Sequence, residues 1–88
     1  MGRIFKQAAR REGKLHGLAV HVGRRILELR QRDGVTMRDV SNGTKLSNAF
    51  ICQLENGQSQ PSAETLWALA QYFKVPVGFF FEGYDGCQ

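Results

Sequence analysis

Between Thr36 and Gly57 the chain reads TMRDVSNGTKLSNAFICQLENG, and its cap, core and stop residues leave room only for two short helices around a tight turn. Thr36 offers a hydroxyl to the free amides of a helix start, and Asp39 brings negative charge into the first turn. That helix is expected over about Met37–Asn42, with Val40 as its core contact and Asn42-Gly43 as its stop. Leu46 plugs the turn. Ser47 caps the next helix, which runs to about Asn56 and is closed by Gly57.

The remainder predicts more of the same. From about Leu18 to Arg32, Val22, Ile26 and Leu29 recur at spacings of four and three, the narrow apolar stripe of an amphipathic helix that Asp33-Gly34 ends. After a loop at Gln58–Pro61, Ser62 caps a helix whose Leu66, Leu69, Ala70 and Phe73 form one face. Lys74-Val75-Pro76 breaks the chain, and Val77–Glu82 supplies one or two further helical turns. No repeat or strand pair is visible, so the expectation is an all-α bundle of four or five helices. Its domain spans residues 18–82, between a basic, flexible N-terminal arm (1–17) and a polar, frayed tail (83–88).

With 88 residues the chain supports one compact domain. Charge is unevenly placed. Residues 1–30 carry Arg3, Lys6, Arg10, Arg11, Lys14, Arg24, Arg25 and Arg30 against Glu12 and Glu28 only, whereas acids outnumber bases beyond them. A basic end on a slightly acidic body suits a protein that meets phosphate on one side. Cys52 and Cys87 lack metal-ligand spacing and make no disulfide framework, which points to a reducing, cytoplasmic setting. His16 and His21 are not spaced for a shared metal, and no run approaches the roughly 18–20 apolar residues of a membrane span. The sequence carries no catalytic set, paired acids or phosphate loop, so neither an enzyme, a metal nor a cofactor is expected.

The helix at 47–56 has an unusual outer side. At about 100° per residue, Ile51 and Leu54 fall together and face the core, while Ala49, Gln53 and Asn56 lie opposite. Asn48 projects from the first turn, and Phe50 and Glu55 flank the core stripe. A solvated helix face usually carries Lys and Glu; this one carries amides, which donate and accept at once and can pair with adenine, and an alanine that can meet a thymine methyl. Each amide alone is better explained by solvation or capping. As a set within a helix–turn–helix frame, they favour base readout in double-stranded DNA.

This stretch resembles the helix-turn-helix of the lambdoid phage repressor and Cro group, the broad xenobiotic-response-element family of bacterial regulators. The likeness runs from His21 to about Phe81, through ILELR, LENG, PSAETLWALAQYF and VPVGFFF. It implies a five-helix bundle of the lambda-repressor type, with its third helix in the major groove of a palindromic operator and a homodimer as the acting form. It implies base contacts at Asn48, Ala49 and Gln53, backbone contacts at Met37 and at Asn56, Gly57 and Gln58, and an ion pair between Arg30 and Glu55. Four positions depart from the family pattern. Met37 replaces a common Gln, leaving only a backbone N–H for phosphate, and Phe50 replaces a common Tyr. Ser41 and Lys45 stand where Ala and Gly are frequent, so Lys45 is expected to need a left-handed backbone or a slightly different turn.

Arg24, Arg25, Arg38 and Lys45 are further candidates for the DNA backbone, although ordinary solvated charge explains at least half of them as well. The arm Arg3–Lys14 suits a minor groove as well as it suits a solubilising tail. Phe79, Phe80 and Phe81 cannot all point inward, so they and Trp67 are candidates for a dimer contact. The rival reading is an antitoxin-type interaction module of the same fold, holding a protein partner through that aromatic surface.

Overall fold

The computed structural model describes residues 2–85, with side chains described from Gly17 to Asp85. Four α-helices, α1 (Gly2–Asp33), α2 (Met37–Thr44), α3 (Asn48–Glu55) and α4 (Ala63–Phe73), are followed by a 3₁₀ helix (Val77–Phe81). The fold is all-α, and the fifth helix of the expected bundle is this single 3₁₀ segment. α1 packs on α3 and on the 3₁₀ helix, α2 on α3 and α4, and α4 on the 3₁₀ helix. Their shared core holds Val22, Ile26, Leu29, Val40, Ile51, Leu54, Leu66, Leu69, Ala70, Phe73 and Phe80.

The helix starts follow the cap residues. The Thr36 hydroxyl accepts from the Asp39 amide at 3.1 Å, and Asp39 returns the bond by accepting from the Thr36 amide at 2.9 Å. Ser47 and Ser62 accept from the amides of Phe50 and Thr65 at 3.0 and 3.1 Å. Each bond satisfies an amide that has no partner inside its own helix.

Two helix boundaries differ from expectation. α1 begins at Gly2, not near Leu18; the segment is rich in Ala, Arg, Lys, Gln and Glu, whose helix preference offsets its glycines. The presentation of the basic side chains Arg3–Lys14 lies outside the described residues. α2 does not stop at Asn42-Gly43 but continues to Thr44. Gly43 is helical, and a Cβ there would fall on the Tyr72 ring, so this glycine permits the approach of α4. The left-handed residue that ends α2 is Lys45, at φ 65°.

The C-terminal return is also held. His21 Nε2 donates to the Glu82 carbonyl at 2.6 Å, and its ring lies 5.5 Å from that of Tyr84. Gly83 and Tyr84 therefore lie against α1 where a frayed tail was expected, and 86–88 fall outside the described residues.

Candidate nucleic-acid interface

The turn between α2 and α3 is built by hydroxyls. Ser41 Oγ donates to the Leu46 carbonyl at 2.5 Å, and Thr44 Oγ1 donates to the Val40 carbonyl at 2.7 Å. Thr44 Oγ1 also accepts from the Leu46 amide at 3.3 Å. These bonds, with Leu46 packed against the core, offset the cost of holding Lys45 in the left-handed region. Ser41 thus has a structural task that an alanine could not perform.

α3 is fixed from below. Ile51 and Leu54 are fully buried, and the backbone carbonyls of Leu54 and Glu55 lie where a Cβ at Gly23 of α1 would stand. Arg30 grips the end of the helix through Nε to Glu55 Oε2 at 2.5 Å and Nη2 to Oε1 at 3.0 Å. A third bond, Arg30 Nη1 to the Val35 carbonyl at 3.1 Å, ties the loop before α2 to the same guanidinium. The Glu55 carboxylate favours the charged guanidinium and raises the Arg30 pKa against the opposing effect of burial.

With Glu55 turned inward, the outer side of α3 carries no charge. Asn48, Ala49, Gln53 and Asn56 are all exposed there. Two amides have local partners: Gln53 Oε1 accepts from Ser59 Oγ at 3.0 Å, and Asn56 Nδ2 donates to Cys52 Sγ at 3.5 Å. Sequence reasoning missed Ser59, because the contact depends on the chain turning back after α3. That turn is a Schellman closure: Gly57, at φ 72°, donates to the Leu54 carbonyl, and the Gln58 amide donates to that of Gln53 at 2.9 Å.

The candidate phosphate-binding groups are distributed unevenly. Arg38 and Lys45 are exposed on α2 and its turn. Arg24 is exposed one helical turn from Val20, the residue that a Cβ at Gly57 would strike, so it stands near the chain that leaves α3. The Met37 side chain packs against the core, leaving its backbone N–H at the α2 terminus. The Asp39 carboxylate shares that terminus, held below its ordinary pKa by the Thr36 N–H and then by the Thr36 hydroxyl, so a phosphate arriving there would sit beside an anion.

Other positions are already occupied. Arg25 lies 3.7 Å above the Phe79 ring, donates Nε to the Phe79 carbonyl at 3.1 Å, and bridges Glu28 and Glu82 at 2.7 and 3.4 Å. It fastens the 3₁₀ helix to α1 and is not presented as a free cation. Gly57 is buried with its N–H donated, so it shapes the turn; Asn56 and Gln58 keep exposed side chains but their N–H groups are also committed. Of the aromatic residues proposed for a dimer contact, Phe80 is core and Phe79 is covered by Arg25. Trp67 and Phe81 stay exposed, at 59% and 41%.

A family model described as a helix-turn-helix domain matches residues 23–86. The chain belongs to the helix-turn-helix domain family. Its curated relatives include the HTH-type transcriptional regulator DdrOP3 of Deinococcus deserti, 34% identical over 69% of this chain and 47% of that protein. The HTH-type transcriptional regulator SutR of Escherichia coli is 30% identical over 75% of this chain and 37% of its own length. The transcriptional regulator ClgR of Mycobacterium tuberculosis is 30% identical over 64% of this chain and 50% of its own. This helix-turn-helix chain thus spans half or less of the curated relatives it matches. Among solved structures, the restriction-modification controller protein C.AhdI from Aeromonas hydrophila shares the fold, with a TM-score of 0.69 at 24% identity over 72% of this chain and 96% of that one.

Proposed function

We propose that the chain is a sequence-specific DNA-binding transcriptional regulator, a cytoplasmic repressor that acts as a homodimer on a palindromic operator. The observation that carries this reading is the uncharged outer side of α3, with Asn48, Ala49 and Gln53 exposed above a buried Ile51/Leu54 seam. Such a helix fits the major groove, where amides and a methyl group read base edges. Arg24, Arg38 and Lys45 supply positive charge beside it for the phosphates. Relatives named as transcriptional regulators support the same reading. The exposed Trp67 and Phe81 are the groups available for pairing two copies, which would present two α3 helices about 34 Å apart to successive grooves.

Fluorescence anisotropy against selected and scrambled duplexes tests the assignment. Gln53→Ala should weaken binding to the selected duplex by ~1–3 kcal/mol and relax the preference at one base pair. Arg24→Ala and Lys45→Ala should weaken both duplexes alike and flatten the salt dependence. Equal losses on both duplexes for Gln53→Ala would remove base readout from the proposal.

A further inference from the structure

We infer that Ser59 is a positioning residue for DNA recognition: its hydroxyl holds the Gln53 side-chain amide so that the NH₂ end faces the groove. The inference rests on the proposed base contact of Gln53. A glutamine on an exposed helix face has three free torsions, and both ends of its amide can meet a base. Here one end is taken. Ser59 Oγ donates to Gln53 Oε1 at 3.0 Å, so it is the Nε2 donors that are left to offer to a base.

The contact is produced by the end of α3. Gly57, in the left-handed region, reverses the chain, and the Gln58 amide closes on the Gln53 carbonyl at 2.9 Å. The residue after this closure is Ser59, which the reversal returns to the side chain of the residue whose carbonyl it caps. Gly57 is buried against Val20 and a Cβ there would strike it, so the reversal is braced by α1. An amide held in this way enters the groove with less entropy to lose, the usual advantage of preorganisation. It also enters with its donors leading, so the base atom it meets is an acceptor: a purine N7, guanine O6 or thymine O4.

The test compares Ser59→Ala, Ser59→Thr, Gln53→Ala and Gln53→Ala/Ser59→Ala. Each is titrated against a duplex selected from a random pool by the wild type and against a scrambled one. Ser59→Ala should lower the selected-to-scrambled affinity ratio about two- to tenfold, the scale of ordering one flexible side chain. Ser59→Thr, which keeps the hydroxyl, should restore the ratio, and the double variant should be no less selective than Gln53→Ala. In the free protein, ¹⁵N relaxation of the Gln53 side-chain amide should show greater mobility in Ser59→Ala than in the wild type or Ser59→Thr. An unchanged ratio and unchanged relaxation in Ser59→Ala, with Gln53→Ala still impaired, would overturn the positioning role alone. Equal weakening of both duplexes by Ser59→Ala would make Ser59 a phosphate contact and overturn it too. A ratio unaffected by Gln53→Ala would remove the base contact itself, and the role of Ser59 with it.

Discussion

Replacing Arg30 with Met should destabilise the domain by about 3 kcal/mol, because it leaves a carboxylate inside the protein without its cation. The side chain of Glu55 is only 5% exposed and that of Arg30 18%, and the two share a pair of bonds at 2.5 and 3.0 Å. Removing one partner from a buried pair costs about 3–5 kcal/mol, and the partial exposure of Arg30 places this case at the lower end. Val35 also loses its donor. For a chain of 88 residues, whose expected stability is roughly 4–13 kcal/mol, the loss is a large share of the total. Urea unfolding followed by circular dichroism should show the midpoint falling by about 2 M if the slope is near 1.5 kcal/mol per M. Adding Glu55→Gln to Arg30→Met removes the stranded charge and should recover about half of the loss or more. A midpoint shift below about 0.5 M for Arg30→Met would place the pair with exposed ion pairs and refute the claim that it locks α3 to α1.

Gly43→Ala should lower the melting temperature, although alanine ordinarily stabilises a helix interior by up to about 1 kcal/mol, because the added Cβ falls on the Tyr72 ring. A raised melting temperature would show that α4 does not need this approach. Asp39 titrates lower in the folded chain than in the unfolded one, so its contribution to stability is present above its unfolded pKa of about 3.9 and fades as pH falls through the folded value. Urea midpoints taken between neutral and acid pH should therefore drop less steeply for Asp39→Asn than for the wild type; parallel curves would exclude the capping box as the source.

The starts of α2, α3 and α4 were legible in the sequence because they are local. Thr36, Ser47 and Ser62 each bond an amide three residues on, and the core stripes of α1, α3 and α4 follow from helical spacing alone. The same spacing turned Ile51 and Leu54 inward and left Asn48, Ala49 and Gln53 outside. The family resemblance left two alternatives at Lys45, a left-handed backbone or a slightly different turn, and the folded chain takes the first.

Tertiary structure decided the rest, wherever a residue had two uses that differ only in what packs against it. Gly43 reads in the sequence as a helix stop, and only Tyr72, distant in sequence, makes it room for a neighbour instead. Arg25 reads as a phosphate contact until the 3₁₀ helix brings Phe79 beneath its guanidinium. Phe79, Phe80 and Phe81 are alike in sequence, yet one is covered by an arginine, one is core and one stays exposed. Local spacing determined which faces exist, because caps and helical periods act within a few residues. Which groups on those faces remain free depended on contacts between distant segments, and these form only when the helices meet.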